Sequence, residues 1–117
     1  MKKTNIIKEN RIYNQIIQTT KPFKYKDYVI YLKEKDTFPY QFGFSIGKKI
    51  GNAVTRNRIK RQIKSIVDKK NYQNSFYCII MVRKSILEKN YADMENNLFD
   101  AFSKLNIIKE NMNETVK

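Results

Sequence analysis

Histidine is absent from the sequence, and cysteine occurs only once. Histidine is the commonest general base and a frequent metal ligand near neutral pH, so its absence removes the side chain most used for protein-based acid–base chemistry. Cys78 has no partner for an internal disulfide, and the apolar run Phe76 to Val82 around it predicts a buried, unreactive thiol. These two absences favour binding over catalysis by protein side chains.

Long apolar runs are missing as well. No stretch approaches the roughly 18 uncharged apolar residues of a membrane-spanning helix, and residues 1–9 lack the apolar run of a signal peptide. We therefore expect a cytoplasmic protein with no membrane partner. Hydrophobic residues still make up 41% of the chain, enough to bury a modest core. The length predicts a single domain over residues 1–117, with loosely ordered ends at about 1–8 and 109–117.

The spacing of apolar residues predicts three helices and three strands. In chain order these are a helix from Asn10 to Gln18, strands over Asp27 to Lys33 and Tyr40 to Ile46, a helix beginning at Asn52 or Ala53, a fully buried strand from Phe76 to Val82, and a helix capped by Asn90. The order α-β-β-α-β-α predicts an α+β fold with a small central sheet. The first two strands are placed to pair as an antiparallel hairpin. Parallel pairing of the last two would favour a right-handed connection.

Acidic residues are missing from one long segment of a strongly basic chain. Lys and Arg number 24 against 11 Asp and Glu, which gives a formal net charge of +13 and indicates a polyanionic partner. No acid lies between Asp36 and Asp68, yet seven basic residues occupy the 17 positions from Lys48 to Lys64. A surface built only for solubility mixes both signs, so this segment indicates an anion-binding surface.

The predicted second helix separates these charges from its apolar residues. At about 100° per residue, one stripe is apolar and is expected to face the core, namely Ile59, Ile63, Ile66 and Val67. The polar side holds Asn57, Lys60, Arg61 and Lys64 on the adjoining flank, Arg58 further out and Arg56 nearer the stripe. Arg binds phosphate with two hydrogen bonds, and Asn contacts a base edge or a ribose. The alternative interpretation is an ordinary solvated helix face.

Tyr13, Tyr28 and Tyr31 are candidates for a second binding surface. They belong to the predicted first helix and first strand, where they are placed to meet over one face of the sheet. Single-stranded bases stack on aromatic rings presented in this way. Aromatic residues at such spacings more often belong to the core, so periodicity alone favours the core interpretation.

One run closely resembles the signature of the bacterial ribonuclease P protein subunit family: Lys48-Lys49-Ile50-Gly51-Asn52-Ala53-Val54-Thr55-Arg56-Asn57-Arg58-Ile59-Lys60-Arg61. The triplet Arg56-Asn57-Arg58 is the centre of that signature. Looser similarity extends to Asp27 to Tyr31, Gly43 to Ile46 and Tyr77 to Arg83, so it covers nearly the whole chain apart from both ends.

The resemblance implies a subunit of an enzyme in which a large RNA removes the 5′ leader of precursor tRNA. That reaction uses Mg²⁺, which the RNA chiefly binds, so no protein residue is expected to be catalytic. The implied partners are the catalytic RNA and precursor tRNA, without an obligate protein partner. The implied fold is of the ribosomal protein S5 domain 2 type, in which the βαβ connection through the basic helix is left-handed, against the general rule.

Carried over position by position, the resemblance implies two sets of binding residues. Contacts to the catalytic RNA are expected from Lys48, Lys49, Asn52, Arg56, Asn57, Arg58, Lys60, Arg61 and Lys64. The cleft for the single-stranded leader is expected at Tyr13, Ile17, Val29 and Tyr31. Ile17 stands where the family commonly has an aromatic residue. Ile6 and Ile7 occupy a commonly basic region, in which Lys8 and Arg11 are the possible substitutes.

Three other functions are distinguishable in principle. A ribosomal or other structural RNA-binding protein without a processing role would share this size and charge. A protein-centred nuclease would need a general base or a carboxylate cluster for two metals, and the sequence shows neither. A sequence-specific DNA-binding protein would need a second short helix for a helix-turn-helix, which the predicted elements lack.

Overall fold

The computed structural model describes residues 1–73 and 75–109, which form three α-helices and four strands. The helices are α1 (Asn10–Thr19), α2 (Ala53–Val67) and α3 (Tyr91–Leu105). The strands are β1 (Phe23–Tyr25), β2 (Tyr28–Glu34), β3 (Gln41–Ser45) and β4 (Phe76–Val82). All six predicted elements are confirmed. The sequence prediction missed β1, since three residues next to Pro22 give too short a pattern to identify a strand.

The sheet has the strand order β1-β2-β4-β3, with β4 antiparallel to β2 and parallel to β3. The predicted β2–β3 hairpin is therefore wrong, because β4 lies between these two strands. The central place of β4 follows from its sequence: Ile79 is buried on one face of the sheet and Cys78 and Ile80 on the other. The helix α2 connects the parallel strands β3 and β4, as the resemblance implies. The left-handed sense of this connection stays a prediction.

The larger core lies between one face of the sheet and the helices α2 and α3. The sheet contributes Tyr28, Ile30, Phe42, Cys78 and Ile80, and the helices contribute Ile59, Ile63, Ile66, Met94, Leu98 and Phe102. This confirms the apolar stripe predicted for α2. Cys78 is fully buried, which confirms the predicted buried thiol, and burial raises the pKa of that thiol.

The other face of the sheet is covered by α1. A smaller core forms there around Ile7, Ile16 and Ile79. Alternate residues of β4 point to this face, and Tyr77 and Met81 among them are only half-buried. Val82, on the other face, is half-buried as well, so the prediction of a fully buried strand is wrong at these three positions.

Tyr28 does not join Tyr13 and Tyr31 on the α1 face, so this part of the aromatic prediction is wrong. Side chains alternate along a strand, and two residues three positions apart therefore point to opposite faces. Tyr28 is fully buried in the larger core, where its hydroxyl donates to the carbonyl of Met94 at 2.9 Å.

The N-terminal residues lie against the free edge of β3. Ile6 forms a parallel bridge with Phe42, and the amide of Ile7 donates to the Phe42 carbonyl at 2.8 Å. This packing differs from the loosely ordered start expected for residues 1–8. At the other end, residues 110–117 lie outside the described residues. None of the helices in the described ranges is long and apolar enough to cross a membrane.

The cap of α3 gives a direct test of the fold. The Asn90 side chain accepts a hydrogen bond from the amide of Asp93 at 2.8 Å. We expect Asn90→Ala to lower the free energy of unfolding by about 1 kcal/mol in urea denaturation, because a helix-end amide loses its partner. The control is Asn96→Ala, at an exposed position of the same helix, where alanine should cost nothing. Equal losses in both variants would contradict the capping role.

Candidate nucleic-acid interface

The nine predicted RNA-contacting residues follow one another from a short 3₁₀ turn onto α2. Lys48 and Lys49 belong to the turn Lys48–Ile50, which is anchored by the buried side chain of Ile50. Asn52 is the N-cap of α2, and the other six residues lie on the helix itself. Because the isoleucines of α2 are buried in the larger core, its cationic side is directed away from the sheet. We call these nine residues the basic surface.

The cations of the basic surface are not neutralised by neighbouring acids. Among residues 1–73 and 75–109, the ion pairs join the amino group of Met1 to Asp68, Arg11 to Glu9, and Lys69 to Glu95. None of these involves the basic surface. Most of its side chains are exposed, namely Lys48, Lys49, Asn52, Asn57, Arg58, Lys60 and Arg61. The surface is therefore a field of positive charge available to an anionic partner.

Three of the nine residues also stabilise the local structure. Asn52 caps α2 by accepting a hydrogen bond from the amide of Thr55 at 2.9 Å. The half-buried Arg56 folds back over the start of the helix, where its Nε donates to the Gly51 carbonyl at 3.1 Å. Lys64 is half-buried as well, with its ammonium 5.7 Å from the centre of the Phe44 ring. The direction of the Arg56 side chain, which the sequence left open, is thereby settled.

A neighbouring segment extends the positive charge beyond the predicted residues. The 3₁₀ helix Lys84–Glu88 follows β4 and packs against the turn Lys48–Ile50. Arg83 and Lys84, at the start of this segment, are exposed. Sequence reasoning missed both residues because they are distant in the chain from the acid-free segment. The sequence feature that could have identified them is that two basic residues directly follow the central strand β4.

The second predicted set lies where α1 packs against the sheet. Tyr13 and Ile17 are one turn apart on α1, and Val29 and Tyr31 alternate on the face of β2 that α1 covers. All four side chains are half-buried. Tyr13, Ile17 and Tyr31 pack against the smaller core. The structure thus brings the four residues to one face, which we call the leader cleft.

Tyr13 is held in place by the edge strand β3. Its hydroxyl oxygen accepts a hydrogen bond from the amide of Phe44 at 3.0 Å, and its ring lies against Gly43. Burial raises the pKa of the Tyr13 hydroxyl, and the Phe44 hydrogen bond opposes this only in part, so the group is neutral at physiological pH. Tyr13 therefore offers the cleft a fixed aromatic ring without a charge.

Three further residues belong to the same face of the sheet. Tyr77 and Met81 lie on β4, and the exposed Lys24 of β1 is the cross-strand partner of Val29. Sequence reasoning missed Tyr77 and Met81 because they were assigned to a wholly buried strand, and it missed Lys24 because β1 was not predicted. Tyr77 and Met81 could have been found from the alternation of side chains along Phe76–Val82, because every second residue of a strand points to the same face.

The acidic residues in the described ranges are not gathered at one site. Within residues 1–73 and 75–109, no group of three or more His, Cys, Asp or Glu side chains is placed to hold a metal ion. The buried carboxylate of Asp27 has structural partners, since it accepts hydrogen bonds from Ser85 at 2.7 Å and from Asn97 at 3.5 Å. The exposed cations and aromatic rings described above are suited to binding an anion and to stacking bases.

Comparison with known proteins agrees with this geometry. The family model described as Ribonuclease P matches residues 1–106. A ribonuclease P protein component from Mycoplasma capricolum is 43% identical over 102 residues, covering 84% of this chain and 93% of that protein. The corresponding protein from Streptococcus agalactiae is 35% identical over 99 residues, covering 84% of this chain and 91% of that protein.

Solved structures show the same fold. The RNase P protein from Staphylococcus aureus superposes with a TM-score of 0.81 at 24% identity, covering 92% of this chain and 100% of that chain. The RNase P protein from Thermotoga maritima superposes with a TM-score of 0.76 at 16% identity, covering 85% of this chain and 96% of that chain. With the family model matching nearly the whole length, the chain belongs to the ribonuclease P protein family.

Proposed function

We propose that this ribonuclease P protein binds the catalytic RNA with its basic surface and the 5′ leader of precursor tRNA with its leader cleft. Cleavage of the leader is carried out by the RNA component with Mg²⁺. The protein acts in the cytoplasm and needs no obligate protein partner. Family membership favours this processing role over the alternative role of a structural or ribosomal RNA-binding protein. No observation supports that alternative.

The observation that carries the proposal is the two-sided character of α2. Ile59, Ile63 and Ile66 are buried against the sheet, whereas Arg58 and Arg61 are exposed without an acidic partner in the described ranges. Each cation that meets a phosphate releases a condensed counterion, which is the main source of affinity for a polyanion. Arginine adds two directed hydrogen bonds, so the basic surface can also fix the orientation of a folded RNA.

The leader cleft has the composition of a single-strand binding site. Tyr13 and Tyr31 provide aromatic rings, on which bases of any sequence can stack. Ile17 provides an apolar wall instead of a third ring, so fewer bases are stacked there than in a fully aromatic cleft. Lys24 lies at the β1 side of the same face and is placed to contact the phosphate backbone.

The protein contributes binding rather than bond cleavage. A single-site hydrolase needs a general base or metal ligands that converge on one point, and the described ranges offer no such cluster. Mg²⁺, held chiefly by the RNA, would supply the activated water. The side chains of this protein neutralise phosphate repulsion between substrate and catalytic RNA, which lowers the Mg²⁺ concentration that the assembled enzyme requires.

Reconstitution with the catalytic RNA tests the proposed function. We expect added protein to tighten the binding of precursor tRNA relative to mature tRNA at low Mg²⁺, since only the precursor carries the leader. Protein without the RNA should cleave neither substrate. An unchanged ratio of the two affinities would favour the structural RNA-binding alternative, and cleavage by the protein alone would contradict the assignment of catalysis to the RNA.

The basic surface is tested by Arg58→Ala and Arg61→Ala. We expect either variant to weaken assembly with the catalytic RNA and to reduce the slope of log K against log salt by about one unit per lost phosphate contact. The control is Lys104→Ala, because Lys104 is exposed on α3 beside Tyr25, at the β1 edge of the sheet. If the control lowers the slope as much as the arginine variants, the effect is one of net charge and not of the basic surface.

The leader cleft is tested by Tyr31→Ala. We expect precursor binding by the assembled enzyme to weaken by about 1–3 kcal/mol, the range for one base–aromatic stack, while mature tRNA binding and assembly stay unchanged. The control is Tyr25→Ala, which removes a half-buried ring from the opposite face of the sheet. Circular dichroism should accompany both variants. Loss of mature tRNA binding to the same extent as precursor binding would remove Tyr31 from leader recognition.

A further inference from the structure

Within the described residues, no strand pairs with the outer edge of β3, and two other contacts take the place of one. The inner side of the strand pairs with β4. On the outer side, the carbonyl of Phe42 accepts from the amide of Ile7, and the amide of Phe44 donates to the hydroxyl of Tyr13. The Tyr13 hydroxyl thus provides a hydrogen-bond acceptor for a backbone amide at the sheet edge, where no strand pairs with it in the described residues.

Gly43 lies between these two contacts, and the Tyr13 ring occupies the space above it. An ideal Cβ on Gly43 would lie 2.6 Å from Cζ of Tyr13 and 2.8 Å from Cε1, and closer still to the hydroxyl oxygen. Real Cβ atoms do not approach other atoms so closely. The ring can therefore lie on β3 only because residue 43 has no side chain.

We propose that Gly43 is a positioning residue of the leader cleft: its missing side chain lets the Tyr13 ring lie on β3 with the hydroxyl fixed by Phe44. This inference rests on the proposed function of the cleft. With its hydroxyl oxygen bonded to the Phe44 amide, Tyr13 presents its ring to a base in a fixed orientation. A ring fixed in advance loses little side-chain entropy when a base stacks on it, which favours leader binding.

A side chain at position 43 should displace Tyr13 rather than disrupt the sheet. The three atoms that a Cβ would meet are the far end of one side chain with two rotatable bonds, so rotation of Tyr13 relieves the overlap. The rotated ring would lose its hydrogen bond to Phe44 and its place in the cleft. Gly43→Ala should therefore reproduce the functional loss of Tyr13→Ala without an effect on the basic surface.

A double-mutant cycle tests the proposal in the assembled enzyme, with the affinity ratio of precursor to mature tRNA as the measured quantity. We expect Tyr13→Ala and Gly43→Ala each to lower this ratio by about 5-fold to 150-fold, the range for one base–aromatic stack. In the Tyr13→Ala background, Gly43→Ala should have no further effect. The matched control is Gly47→Ala, because a Cβ at Gly47 meets nothing within 4 Å.

The outcomes separate this inference from the proposed function. A parental ratio in Tyr13→Ala would contradict the role of Tyr13 in the cleft, and with it the proposed function there. A reduced ratio in Tyr13→Ala with a parental ratio in Gly43→Ala would overturn the positioning role alone. Full additivity of the two substitutions would overturn it as well, since Gly43 would then act independently of Tyr13.

Folding of the variants is the second measurement. If Gly43→Ala fails to fold, folding of the double variant Gly43→Ala/Tyr13→Ala shows whether the overlap with the Tyr13 ring is the cause, because that ring is absent from it. Recovered folding in the double variant would support the contact with Tyr13, and failure to recover would overturn it.

Tyr13→Phe keeps the ring but removes the acceptor for Phe44. We expect a smaller drop in the ratio than in Tyr13→Ala, and a parental ratio would overturn the role of the hydroxyl.

Discussion

The structure depends on the packing of one side of α2 against the sheet. Ile59, Ile63 and Ile66 are buried there, and each such side chain contributes about 1.5–3 kcal/mol through removal of its surface from water. This burial fixes the rotation of the helix about its axis, so the backbone positions of its exposed cations stay on the side away from the sheet. Electrostatic repulsion among unpaired cations is a cost that the apolar side offsets. The basic surface is thus held in place chiefly by hydrophobic packing, to which the Asn52 cap and the Arg56 hydrogen bond to Gly51 add locally.

The two binding surfaces lie on opposite faces of one sheet and are connected at β3. The side chain of Phe44 is buried in the larger core, with the Lys64 ammonium near its ring, while its amide is bonded to Tyr13. A single residue therefore contacts both α2 and α1. The relative position of the basic surface and the leader cleft is therefore fixed by the packing of α2 and α1 on opposite faces of the sheet. That arrangement suits a protein that holds two RNA segments in a fixed relation.

The features of the fold that depend on residues close together in the sequence were predictable from it. The stripe of α2 and the Asn90 cap depend on residues three or four positions apart, and both are as predicted. The order of the strands was not predictable from the first two strands alone, because it depends on β4, whose residues are apolar on both faces. The contact between Tyr13 and Gly43 joins residues 30 positions apart and has no local signal. The family resemblance supplied the site residues that periodicity left ambiguous, such as Tyr31.

The central claim is that two separate surfaces of this chain bind two different RNAs, and site-directed cross-linking tests it most directly. The single native cysteine, Cys78, is fully buried with a raised thiol pKa, so a cysteine introduced at an exposed site can be labelled selectively. A photoreactive group attached to Arg58→Cys is predicted to cross-link to the catalytic RNA, and one attached to Lys24→Cys, an exposed site on the face of the leader cleft, to the precursor leader. Cross-links from both positions to the same RNA, or in the reverse pattern, would contradict the account.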